Sequence, residues 1–149
     1  LPDHSNKPPA DADLLSRLRA FFAREQAVAA AYLFGSQASG TARPASDVDL
    51  AVILPAGLEP EEAFWERVRL QGLAEDLLRP RPVDVVDLER VPALLAHEIL
   101  SNCFLLGEHD PDRRVMVEAR RQAEYLDFLP RLQYYRREVL GLDGPGTHS

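Results

Sequence analysis

Cysteine is almost missing: Cys103 is the single one in 149 residues. One thiol makes no internal disulfide and builds no zinc cluster, so Cys103 reads as a small core hydrophobe in a reducing compartment. No apolar run is long enough to span a bilayer, and no signal-peptide-like apolar segment opens the chain, so the expectation is a cytosolic protein without a membrane partner. Basic charge is in deficit, 17 Lys and Arg against 24 Asp and Glu, for a net charge of -7. That excludes a broad electrostatic grip on nucleic acid or anionic lipid, although local basic clusters stay possible. No Gly-Lys-Ser/Thr follows Gly35, so there is no P-loop, and Ser101 stands where a zinc-protease helix beginning at His97-Glu98 needs its second histidine. Internal repeats and low-complexity blocks are absent as well.

What is present is ordinary for a globular protein, 46% hydrophobic and 28% charged residues, enough for one domain with a real core. Residues 1–10 hold three prolines among polar neighbours, lack an opening Met and read as a flexible arm. From Asp11 onward Leu14, Leu15, Leu18, Phe21 and Phe22 recur at helical spacing, with Asp11 or Asp13 as the cap of a helix ending near Gln26. Val28 to Phe34 is the first strand and Asp47 to Leu54 the second. A helix is expected over about 61–78, lined by Ala63, Phe64, Val68, Leu73, Ala74 and Leu77 and stopped by Pro80 and Pro82. Val83 to Asp87 is a short strand, Val91 to Asn102 a helix opened by Pro92, and Cys103 to Leu106 a small edge strand. A last helical region runs from Asp110 towards Tyr125, breaks around Pro130 and resumes from Arg131 to Leu140. Strands alternating with helices predict an α/β (α+β) architecture, a small sheet flanked by helices. The core is placed at 11–107, C-terminal helices at 108–141 and a flexible tail at 142–149.

The chemistry concentrates where the first two strands meet. Gly35-Ser36 ends one strand in a small-residue turn, and Asp47-Val48-Asp49 begins the next. Alternation puts Asp47 and Asp49 on one face, with Val48 pointing the other way. Two carboxylates held side by side repel unless a cation or a proton intervenes, which suggests a metal site. A third acid comes from the Val83-Asp84-Val85-Val86-Asp87 strand. Asp84 and Asp87 lie three apart and face opposite ways, so only one can join the pair. Asp84, expected to be largely buried, is the candidate, and Asp87 is the strand-end or cap residue. Adjacent strands are about 4.8 Å apart, close enough for such acids to share a metal. A glycine turn presenting N–H groups and a hydroxyl is a seat for phosphate. Phosphate cradle and paired acids together point to phosphoryl or nucleotidyl transfer.

Gly35-Ser36, ten residues and then Asp47-Val48-Asp49, with Gly40, Ser46 and Val83-Asp84-Val85, resembles the signature of the DNA polymerase β nucleotidyltransferase superfamily, and the short chain is similar to its minimal (MNT) branch. The resemblance covers about 14–107 and implies the polymerase-β-type fold with a small mixed sheet. It also implies Mg2+ held by Asp47, Asp49 and Asp84, which are then both catalytic and metal-binding. ATP is the implied donor, with its phosphates at Gly35 and Ser36. Many members carry arginines just after the Gly-Ser pair; here Gln37 and Ser39 stand there, and Arg43 is the cation that compensates. MNT proteins are often antitoxins that adenylylate a tyrosine of an all-helical HEPN-type toxin, and this chain is expected to be a protein adenylyltransferase of that kind. The alternatives are a small-molecule nucleotidyltransferase of the aminoglycoside-modifying type and a non-catalytic nucleotide-binding antitoxin acting by contact.

Plainer readings stand beside these. Gly35-Ser36 alone is an ordinary turn. Arg113, Arg114, Arg120 and Arg121, interleaved with Glu118 and Glu124, read first as a solvated face and second as a partner-binding surface. Tyr125, Phe128, Leu129, Tyr134 and Tyr135 either cap the core or form an exposed interface. His97 and Glu98 read as surface helix residues, and Trp65 as packing.

Overall fold

Helix α1 (Ala12–Arg24) forms because Asp11 accepts a hydrogen bond from the Leu14 N–H and because Leu14, Leu15, Leu18 and Phe22 make one buried stripe. The computed structural model describes His4, residues 8–40 and residues 47–142, without the Ser39 side chain. After α1 come β1 (Ala30–Phe34), one turn of helix α2 (Ser36–Ser39), β2 (Val48–Ile53), α3 (Pro60–Leu78), β3 (Val83–Asp87), α4 (Ala93–Ser101), β4 (Cys103–Glu108) and α5 (Pro111–Tyr134). A π-helical turn, Tyr135–Val139, continues α5.

The four strands form one mixed sheet in the order β3-β2-β1-β4. Strand β1 runs antiparallel to both β2 and β4, whereas β2 and β3 are parallel and joined by the α3 crossover. Alternation divides the core in two. Leu33, Leu50, Val52, Val85 and Leu106 meet α1 and α3 on one face, and Tyr32, Ala51, Ile53, Cys103 and Leu105 meet α4 and Val117 of α5 on the other. The expected α/β sheet flanked by helices, with a C-terminal helix, is therefore present.

Helix α3 buries Ala63, Leu70, Ala74 and Leu78, and leaves Phe64 and Leu73 exposed with Val68 and Leu77 half-buried. The buried row is 63-70-74-78 instead, interrupted one turn after Ala63 by the half-buried Glu66 and Arg67. Trp65, expected to pack, is 60% exposed and touches Phe64 edge to face. Helix α5 does not break at Pro130. Proline deletes the hydrogen bond to the carbonyl four residues back, at Leu126, but both residues are exposed, so water can take that carbonyl.

Of Arg113, Arg114, Arg120 and Arg121 on α5, only Arg120 faces solvent; the other three are largely covered. Glu118 is 1% exposed, and accepts from the Tyr32 hydroxyl at 2.6 Å and from Arg114 at 3.1 Å, with His4 Nε2 at 2.7 Å. Arg121, also buried, donates to the Val91 carbonyl and to Glu124. Arg113 bonds the Leu54 carbonyl at 2.8 Å and pairs with Glu89, which Arg120 also holds. The segment between β3 and α4 is thus clamped to α5 by guanidinium groups whose partners lie far away in sequence. His97 stacks on Tyr125 with ring centres 3.7 Å apart and bonds Gln122 at 3.1 Å, so it joins α4 to α5 rather than facing water alone.

Candidate functional site

The parallel register of β2 and β3 sets Asp49 directly opposite Asp84. In a sheet, residues in register point to the same face, here the face of α4 and α5, since Ala51 and Val86 follow on that side. Asp47 precedes β2 by one residue and is exposed, Asp49 is half-buried, and Asp84 is exposed at the free edge of the sheet. Asp84 is therefore not the buried acid expected from its valine neighbours: β3 is an edge strand, covered by α3 on one face only at this end. Asp87 faces the other way and is buried, accepting from the Glu89 N–H at 3.0 Å and from Arg90 at 2.7 Å. It is the strand-end cap that its position implies.

The glycine turn abuts the acids. Phe34 of β1 pairs with Asp49, and Gly35 follows with φ 73° and ψ -150°, a conformation that side chains with a Cβ scarcely adopt. A Cβ on Gly35 would stand 2.5 Å from Oδ2 of Asp49. The absence of a side chain is what lets the backbone lie against the carboxylate. Ser36 opens α2, and Gln37 is buried. Arg43 and Ser46 lie outside the described residues.

Burial first, then the negative charges of Asp84 and Asp47, raises the proton affinity of the Asp49 carboxyl above its ordinary value. Three acids close enough to disturb one another are a donor set that a hard divalent cation would relieve. Among the described residues no three metal-ligating side chains stand close enough to grip an ion as they are, so a cation would draw the carboxylates inward. The oxygen-only donors fit magnesium chemistry.

A cavity of about 390 Å3 adjoins Asp84 at the β3 edge, and one of about 270 Å3 adjoins Gly35, between Phe34 and the Leu95, Glu98 and Asn102 side of α4. Sequence reasoning missed the residues around both. Their side chains carry no motif, and Phe64 and Arg67 become neighbours of Asp84 only through the crossover.

A mixed sheet with a glycine turn and in-register acids at one end is the frame of a nucleotidyl-transfer domain. The family model described as polymerase beta, nucleotidyltransferase matches residues 16–112, and the chain belongs to that family. No curated protein matches it. Among solved structures, it is similar to a toxin–antitoxin crystal structure with AMP-PNP at 21% identity, over 85% of this chain and 95% of the other, with a TM-score of 0.57. A crystal structure from Shewanella oneidensis is 20% identical over 88% and 97% of the two chains, with a TM-score of 0.58. A third, described as tri-AMPylated Shewanella oneidensis HEPN toxin in complex with MNT antitoxin, is 18% identical over 85% and 96%, with a TM-score of 0.53. Likeness at this identity is likeness of fold.

Proposed function

We propose that this protein is a magnesium-dependent adenylyltransferase that moves AMP from ATP to a tyrosine hydroxyl of a helical, HEPN-type toxin and thereby acts as its antitoxin. The observation that carries the reading is the Asp49–Asp84 register beside Gly35, in a chain of nucleotidyltransferase family. Support for the partner comes from fold neighbours that are toxin–antitoxin complexes, one with AMP-PNP and one with an AMPylated toxin. Leu126, Tyr134, Tyr135, Val139 and Leu140, exposed along the last helical stretch, are an apolar surface of the kind a protein partner covers.

In this reading Asp47, Asp49 and Asp84 hold the cation, and Gly35 and Ser36, with Arg43, take the nucleotide phosphates. Magnesium, when bound, would supply charge neutralisation at the triphosphate and make the acceptor hydroxyl more acidic. The acceptor oxygen attacks the α-phosphorus, the bond from that phosphorus to the bridging oxygen breaks, pyrophosphate leaves, and the hydroxyl proton passes to Asp84. A reducing cytoplasm suits the lone buried thiol.

The test is incubation with magnesium, α-labelled ATP and the helical protein encoded beside it. Label on that protein is the expected result, lost in the Asp47→Ala, Asp49→Ala double variant. Label on an aminoglycoside instead, or neutralisation of the partner without label, would overturn the reading.

A further inference from the structure

The sheet order sets three features in a line across its catalytic end: Gly35 after β1, Asp49 on β2 and Asp84 on β3. The cavity of about 390 Å3 lies at the far end of this line from the glycine turn. Its walls include Ala63, Phe64 and Arg67 of α3, Asp84 and Val86 of β3, and Val91 before α4. An in-line displacement needs the attacking oxygen and the departing pyrophosphate on opposite sides of phosphorus. With the triphosphate at Gly35 and Ser36, the attacking group has to arrive from the Asp84 side.

The lining says what kind of group fits. Phe64 is half exposed, and the guanidinium of Arg67 lies over its ring, 5.4 Å from the centre. Arg67 also donates to the Val85 carbonyl at 3.3 Å, but among the described residues no carboxylate pairs with it. Arg90, across the cavity, is already matched by Asp87 at 2.7 Å. At this wall of the cavity an unpaired guanidinium beside an aromatic ring and two valines repels a polycationic sugar. It suits an aromatic ring that brings an anion with it.

We infer that this cavity is the acceptor pocket, and that it takes a tyrosine side chain of the partner with a carboxylate beside it on the partner's surface. The inference rests on the adenylyl-transfer reading above. The ring lies against Phe64, Val86 and Val91, the carboxylate pairs with Arg67, and the phenolic oxygen reaches Asp84. That oxygen bonds to the α-phosphorus as pyrophosphate departs, and its proton goes to Asp84. The volume is at the lower end of the range for ligand sites, about 300–1,000 Å3, which accommodates one side chain and its neighbour rather than an extended peptide.

Labelled AMP transfer is followed at increasing concentrations of the partner protein and, separately, of N-acetyltyrosinamide, a phenol without the carboxylate. Val91→Trp fills the pocket and is expected to raise KM for both acceptors by about tenfold or more. Arg67→Glu is expected to raise KM for the partner by about tenfold, the worth of one charge-assisted hydrogen bond, and for the amide by clearly less. Affinity for AMP-PNP stays unchanged in both variants, which also reports that they are folded; if Val91→Trp does not fold, Arg67→Glu decides. Unchanged acceptor KM in the variants, where the wild type does transfer AMP, overturns the pocket alone. No transfer to either acceptor by the wild type overturns the adenylyl-transfer reading and the pocket with it.

Discussion

The backbone of Gly35 lies against the Asp49 carboxylate so closely that a methyl group there would stand 2.5 Å from Oδ2. Gly35→Ala must therefore do two things at once. The φ of 73° and ψ of -150° become strained, which costs about 1–3 kcal/mol, and the carboxylate is pushed out of register with Asp84. The expected outcome is a folded protein with a lowered Tm and transfer reduced by about 100-fold, on the scale of removing one preorganised electrostatic group. Wild-type transfer rates in this variant would show that the close approach has no role.

Asp49 is held at a cost. Burial and its acidic neighbours raise its carboxyl above the ordinary value, so the folded state binds that proton more tightly than the unfolded chain. Stability from this source is present below the unfolded value, about 3.9 for a free Asp, and is lost as pH rises through the folded one. At neutral pH the ionised group opposes folding. Asp49→Asn should raise Tm at pH 7 by on the order of a few degrees while abolishing transfer, and the gain should vanish as pH falls to the ordinary carboxylate range. Magnesium should raise the Tm of the native chain and leave the variant unmoved.

The same two acids show how far the sequence can be read. Alternation along β2 puts Asp47 and Asp49 on one side without any structure, and the valines around Asp84 identify a strand. What alternation cannot supply is that β3 lies at the sheet edge, so Asp84 is exposed where its neighbours suggested burial. Nor can periodicity tell a charged stripe facing water from one facing buried partners. The arginines of α5 find Glu89, the Leu54 carbonyl and the Val91 carbonyl, none of them a near neighbour in the chain. Tyr32, an apolar-looking strand residue whose hydroxyl must find an acceptor, was the one local hint of buried Glu118.

That buried carboxylate carries a stability prediction. Tyr32→Phe removes one donor from Glu118 and should cost about 1–2 kcal/mol in urea unfolding, whereas Glu118→Ala, which strands the Tyr32 hydroxyl and half of Arg114, should cost about 3–5 kcal/mol. Equal losses in the two variants would mean that the tyrosine carries the whole interaction.

Cys103 shares this environment. Burial, then the negative charge of Glu118, pushes its thiol up to about 12, so almost no thiolate exists at pH 8. Labelling of the native protein by a disulfide reagent at that pH should be slow and should accelerate only with global unfolding. Rapid labelling under native conditions would place the thiol in a local opening of β4 instead.

The free edge of β3 is covered by side chains of α3, Arg67 on the Val85 carbonyl and Gln71 on two further groups. Gln71 of α3 donates through its amide to the Val83 carbonyl and accepts from the Val85 N–H at 2.7 Å, supplying the pairing that a fifth strand would otherwise offer. Unpaired edge groups invite another chain to add on, and this edge borders both Asp84 and the cavity beside it. Gln71→Ala should lower stability by about 1–2 kcal/mol through the two lost bonds and should make the protein self-associate as concentration rises, visible in light scattering. Gln71→Glu separates the two effects, because a carboxylate can still accept from Val85 but repels the Val83 carbonyl, and its charge discourages strand addition. Stability should fall again while the protein stays monomeric. If both variants remain monomeric and lose no stability, the edge is protected by α3 as a body and the glutamine is incidental.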